Sequence, residues 1–468
     1  MRLTTVTRMS LPAGVVHRFA THITPVQGED TPPSFDQARH ASLGPRAGSW
    51  MAVAFALPFP ADRDRVARAW LAVVARHGTL RTVLEGGGKD DDDELRVRPV
   101  TVHPLGWREA TAEQGEDPRA VLRRVFDEAC CPFATPSHAL CLVEPEDRDA
   151  RPVVVIGLDH SHVDAWSLLV LLRDFCSCLD DLACGLEPGT CLTPVAAFAE
   201  HTRELAQRPP APRRVHDRWA SILAGGGMPV FPLDLGDIST PREEVVEVRE
   251  VLDPDGLAAL EREAAAGGVR MIALAMAEMT SVFRRRGGVG LRAVLPVHSR
   301  HHERWHDSVG WFITNSVIEC TDPDPMACAV AVRDAVELGS HSLGPILEPH
   351  GGMPHTPGMF AISWLDHRRL PIDVDMSLDP QHVSAAIRTD GVMVWFVVNS
   401  SGLHVRCRYP DTAGARHSVG GWLDELCAGL VRRSVNGTGP RERGGGAGPR
   451  DPDRDRPATT PRRAIVRA

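Results

Sequence analysis

At 468 residues the chain is long for one hydrophobic core and natural for two. A hydrophobic share of 43% with 24% charge describes a soluble globular protein. A net charge of -9 with no basic face argues against a nucleic-acid partner.

Arginine supplies nearly all the positive charge, Lys89 being the only lysine. No apolar run is long enough for a membrane span. Arg2, Arg8 and His17 interrupt the residues after Met1, so no signal peptide is expected and the cytoplasm is the expected location. Eleven cysteines, an odd number without scaffold spacing, read as small buried hydrophobes in a reducing compartment.

In chain order, Val66, Trp70, Val73, Val74 and His77 recur at helical spacing and predict a helix over 63–77. Gly86 to Glu94 lacks any apolar residue and reads as a solvated acidic loop. Val153 to Leu158 reads as a buried strand. After the turn Asp159-His160-Ser161-His162-Val163-Asp164-Ala165-Trp166-Ser167, a helix with a broad apolar face runs to Gly185. Trp166 is expected to pack in the core and Ser167 to cap that helix. Residues 1–190 thus form a first lobe. Residues 191–245, most clearly 207–245, read as a linker with one short helix. Residues 246–436 form a second lobe: a strand from Val246 to Leu252, helices near 255–266 and 271–286, strands near 292–297 and 394–400, and a helix over about 416–434. Residues 437–468 are Gly, Pro, Arg and Asp with few bulky apolar residues, and are expected to be disordered. The alternation of strands and helices in two halves predicts two α/β lobes.

The turn at 159–167 carries two histidines and two carboxylates between a strand and a helix, where reactive side chains stand over a rigid base. Two chemistries fit it. His160, His162 and Asp164 resemble the H-x-H-x-D of metallo-β-lactamase-like hydrolases, a ligand set that suits zinc. That pattern continues with histidine where this chain has Ala165. Read in another register, the turn resembles the H-H-x-x-x-D-G signature of nonribosomal peptide synthetase condensation domains and polyketide-associated acyltransferases. His160 then matches the second histidine, Asp164 the aspartate and Ala165 the glycine, and Asp159 replaces the first histidine.

Other segments support the second register. Arg76-His77-Gly78-Thr79-Leu80-Arg81-Thr82 resembles the R-H-x-x-L-R-T motif of that superfamily. Leu295-Pro296-Val297-His298-Ser299-Arg300 is similar to its P-V-x-x-R stretch, and Val309-Gly310-Trp311-Phe312-Ile313-Thr314-Asn315 to its I-G-x-F-V-N-T motif. Ser363 to Pro371 and Cys407 to Asp411 are similar to the polyketide-associated branch. The motifs stand in family order over about residues 10 to 435.

This resemblance implies a fold of class α/β with two chloramphenicol-acetyltransferase-like lobes. They would form a V-shaped pseudo-dimer, with mixed sheets flanked by helices and a substrate tunnel between them. It implies His160 as catalytic base, because an imidazole takes and returns a proton near neutrality. It implies that Asp164 pairs with Arg300 to support the motif. Asp159, His162 and Asn315 are possible tunnel-lining residues; Asp159 is alternatively an orienter of His160 or a partner of a backbone donor, and His162 alternatively solvent-exposed. Alanine at 165 would be strained if that site needs positive φ. No bound cofactor is expected. The donor would be an acyl-CoA or an acyl-phosphopantetheine carrier protein acting in trans, and the acceptor a small-molecule hydroxyl or amine. Two alternatives stand beside this: a degenerate module that recruits a carrier protein without catalysis, motivated by Asp159 and Ala165, and the zinc hydrolase. His302-Glu303-Arg304-Trp305-His306 matches the H-E-x-x-H zinc-protease pattern, but three fixed positions arise easily by chance among 21 histidines.

Overall fold

The structure is a computed structural model that describes residues 2–60, 62–86 and 94–436. Most of the loop expected at 86–94, and the tail expected at 437–468, lie outside the described residues.

The strand Val153–Asp159 is built of β-branched and aliphatic residues and is buried along its whole length. It pairs antiparallel with Trp50–Ala56 on one side and His138–Pro145 on the other. Gly157 sits mid-strand because the Phe126 ring lies 2.6 Å from where a Cβ would stand. Among the described residues, the sheet around this strand has eight members and the other has seven. Both mix parallel and antiparallel pairings. On one face of the first sheet the helices Arg63–Arg76 and Ala165–Ala183 pack over Phe55, Ile156 and Leu158. On the other, Pro118–Ala129 covers Ala52, Cys141 and Val155. In the second lobe, helices Pro254–Ala266, Met271–Gly287, Pro325–Leu338 and Ala413–Asn436 enclose a core around Phe283, Phe360 and Leu426. Most predicted elements are present, with ends displaced by a few residues.

Three features differ from the sequence reading. The segment 191–245 carries two helices, Phe198–Ala206 and Arg213–Ala224, and Phe198 packs on Phe312 and Trp305. A separate helix, Phe35–Ala41, was missed although Ser34-x-x-Gln37 forms a capping box at its start. The third concerns the lobes themselves. Gln381–Ser384 comes from the second half of the chain but inserts between Arg2–Thr5 and Trp50–Ala56 of the first sheet. This strand crosses the boundary expected at 191–245.

No single helix among the described residues is long and apolar enough to cross a membrane. All eleven cysteines are free; Cys184 and Cys191 are exposed rather than packed.

Buried histidines give the fold a pH dependence. Burial pushes the His138 pKa down to about 4, and those of His201 and His382 to about 3. The unfolded chain takes up these protons at a higher pH than the native state does. Their contribution to stability is thus complete above the ordinary value of 6.5 and is lost as pH falls below it, through the range down to 3–4. Thermal unfolding should show a clearly lower Tm at pH 5 than at pH 7. An unchanged Tm would mean that these rings reach solvent.

Candidate active site between the lobes

The strand Val153–Asp159 ends where the reactive turn begins. A short 3-10 turn, His160–His162, leads into the helix Ala165–Ala183. Asp164 is that helix's N-cap, its Oδ1 accepting from the Ser167 amide at 2.7 Å. Ser167 is therefore not the cap. Its hydroxyl instead donates to the Gly310 carbonyl at 2.9 Å and accepts from the Gly310 amide at 3.1 Å. Alanine is at ease at 165, because that residue is already helical and lacks positive φ. Trp166 is half-buried and donates to the His306 carbonyl at 2.9 Å.

Asp164 and Arg300 meet across 136 positions of sequence. Arg300 Nη2 lies 3.2 and 3.3 Å from the two carboxylate oxygens, and both side chains are buried. Nη1 donates to the carbonyls of Trp305 and Ser308 and Nη2 to the Ser167 hydroxyl, while Nε is buried without a partner. The guanidinium also lies over the Phe312 ring, 3.9 Å from its centroid. Asp164 Oδ2 accepts from the Phe312 amide at 3.0 Å. One ion pair thus ties the turn of the first lobe to the 300–312 loop of the second. Gly310 in that loop is obligatory as packed, since a Cβ would meet Phe198 at 2.4 Å.

His160 is partly covered and stacks on Trp311, with centroids 4.2 Å apart and planes at 28°. Its Nδ1 is buried without a hydrogen-bond partner. The accessible ring nitrogen is therefore Nε2. Burial holds the imidazole below its ordinary pKa, with Asp159 and Asp164 pulling the other way. It is thus neutral near pH 7, the form that accepts a proton.

Asp159 and His162 are buried and are not among the residues lining the two cavities described below. Asp159 is completely buried. It accepts from Ser49 Oγ at 2.7 Å, from the Ser161 amide at 2.9 Å and from the Ser161 hydroxyl. The alternative of a carboxylate lying against a backbone donor is the arrangement found. His162 is also buried rather than exposed, with Nδ1 2.8 Å from Ser161 Oγ. Asn315 is half-buried on the strand Ile313–Cys320. The cavity beside Trp311 is lined by its neighbours Ile313 and Thr314, with Asp36, Ser299 and Thr202, and not by Asn315. A second cavity of about 400 Å³ shares Pro32 and Thr202 with the first and takes in Arg81, Arg203 and Thr79. His77 Nε2 lies 2.8 Å from Asp174, a carboxylate that also holds Arg76 and Arg173, so this motif clasps the first lobe.

The zinc arrangements are not assembled. Among the described residues no three His, Cys, Asp or Glu side chains converge as a ligand set. Asp164 is committed to Arg300, and His162 Nδ1 to Ser161. In the H-E-x-x-H match, only Glu303–Trp305 is helical, as a single 3-10 turn. The two histidines therefore do not share one α-helical face.

Two mixed sheets flanked by helices, joined at a histidine turn, define a protein of two chloramphenicol-acetyltransferase-like lobes. The condensation-domain family model matches residues 40–330, more than half of the chain. The chain belongs to this family of acyl-transfer enzymes. It is 23% identical to the acyltransferase PapA3 of Mycobacterium tuberculosis, over 91% of this chain and 93% of that protein. It is 27% identical to the nonribosomal peptide synthetase fso1 of Omphalotus olearius over 29% of the chain, but spans only 3% of that synthetase. Among solved structures, the PapA2 acyl transferase superposes with a TM-score of 0.78 at 19% identity, covering 93% of this chain and 100% of that one. The first condensation domain of the CDA synthetase gives 0.67 at 15% identity, covering 88% and 98%. These two show the fold.

The sequence reading missed His40 and Trp311. Trp311 lies inside a motif quoted for its glycine and asparagine. His40 carries no local signal beyond the capping box of its helix.

Proposed function

We propose that this protein is a cytoplasmic condensation-type acyltransferase. It moves an acyl group from coenzyme A or a carrier-protein thioester to a hydroxyl or amine, with His160 as base and with Asp164 and Arg300 as structural support. The single observation that carries this is the placement of His160. It stands on a turn between strand and helix, its ring stacked on Trp311, a residue that lines the neighbouring cavity, and its Nδ1 buried without a partner. The full-length similarity to PapA3 favours a polyketide-associated, lipid or secondary-metabolite setting over a synthetase module.

In this reaction Nε2 takes the proton of the acceptor hydroxyl or amine as its oxygen or nitrogen bonds to the thioester carbonyl carbon. The tetrahedral oxyanion then collapses, the carbon–sulfur bond breaks, and the leaving thiolate takes the proton back from the imidazolium. The cavity containing Arg81 and Arg203 offers cationic groups suited to a phosphate-bearing donor. Purified protein should be offered a panel of acyl-CoA and acyl-carrier donors with mixed alcohol and amine acceptors, with products read by intact-mass spectrometry. Acyl transfer to one acceptor class is the expected result. No transfer from any donor, by a protein that still binds a carrier, would favour recruitment without catalysis.

A further inference from the structure

The family motif has an imidazole at the position that is Asp159 here, yet the space beside that position is not without one. His40, on the helix Phe35–Ala41, reaches across 119 positions to place Nε2 3.1 and 3.2 Å from the two Asp159 oxygens. Behind it, Arg46 Nη2 lies 2.7 Å from His40 Nδ1. Arginine offers only donors, so Nδ1 accepts and the ring proton sits on Nε2, facing the carboxylate. Arg46 is itself fixed by the carbonyls of His40 and Gly44 at 3.0 and 3.2 Å. The His40 ring lies 6.2 Å from His160 and meets Trp311 nearly edge-on at 5.3 Å.

We infer that His40 is a positioning residue of this site: it stands in for the imidazole absent at 159 and, with Arg46 behind it, keeps Asp159 ionised beside the base His160. The inference rests on the acyltransferase reading. A carboxylate this deeply buried favours its neutral form unless donors surround it. Burial does push Asp159 toward protonation, but His40, Ser161 and His162 outweigh it and hold the carboxyl below its usual range. An ionised Asp159 favours the imidazolium that His160 becomes when it takes the acceptor's proton. The charged and titratable groups around Asp159 are His40 and Arg46 from the first helix and its following loop, His160 and His162 on its own turn, and Cys130 and Cys131 at the end of the helix Pro118–Ala129.

The test compares His40→Ala and His40→Gln with the wild type in kinetics and by NMR of carbon-labelled aspartate carboxyls. Glutamine places an N–H near the position of Nε2; alanine does not. For His40→Ala, kcat at pH 7 should fall roughly tenfold or more with little change in KM, and should recover as rising pH ionises Asp159. His40→Gln should keep most of the rate and the wild-type profile. A loss in His40→Ala that is equal at every pH, or no loss at all, overturns the inference. NMR decides independently of turnover: the Asp159 carboxyl should titrate at a higher pH in His40→Ala than in the wild type, because His40 is the first group that holds it down. Unchanged titration overturns the pairing even if the rates differ. A wild type that transfers nothing fails the acyltransferase reading instead, and the NMR result still decides the role of His40.

Discussion

Replacing Asp164 by alanine should cost about 3–5 kcal/mol of folding stability. The guanidinium of Arg300 is fully buried and loses the carboxylate it is paired with in the change. The Phe312 and Ser167 amides lose their acceptor as well. The missing N-cap alone costs about 1 kcal/mol of this. Arg300→Met should be less damaging, because an uncharged side chain of similar reach can lie on Phe312 and Trp166, the rings that now face the guanidinium. Asp164→Leu combined with Arg300→Met should recover part of the loss, since removing both members leaves no lone buried charge. Equilibrium urea unfolding of the three variants provides the check. A loss under about 1 kcal/mol for Asp164→Ala would mean that water reaches the pair.

The second large effect is on rate. His160→Ala should lower acyl transfer by about 10²–10⁴-fold, the usual contribution of a positioned general base. Stability should change little by comparison, because the ring is partly exposed and its main contact is the stack on Trp311. The two variants would thus separate the two roles proposed within one motif, folding for position 164 and turnover for position 160. The wild-type pH profile follows from the depressed pKa of His160. Rate should rise with pH through an acid limb below 6.5, the ordinary histidine value, and then level off. A limb at or above 6.5 would contradict a buried neutral imidazole.

The parts of this architecture that could be read from the chain are those with local periodicity. Val66, Trp70, Val73 and Val74 mark one helical face, and the continuous run Val153–Leu158 a strand buried on both sides. The Asp164–Arg300 pair followed from motif order, which carries spatial information that neither residue holds alone. What escaped depends on contacts without any sequence period. His40 and Asp159 are 119 positions apart, and nothing near His40 marks it as a partner of a carboxylate. Gln381–Ser384 is four residues long and joins a sheet built from the other half of the chain. His162 looked exposed because a polar residue in a turn usually is, and only the packing of Ser161 and Thr82 around it shows otherwise. The cap went to Asp164 rather than Ser167 because one carboxylate serves three donors, a sharing that spacing alone does not reveal.

The most direct test of the central claim is a single-turnover comparison of wild type and His160→Ala. Both proteins are first shown to unfold at the same temperature, then mixed with one acyl-thioester donor and excess acceptor, and the product is followed by intact-mass spectrometry. Transfer by the wild type that falls at least a hundredfold in the variant is the predicted result. Equal transfer by both proteins would contradict the assignment of His160 as the base.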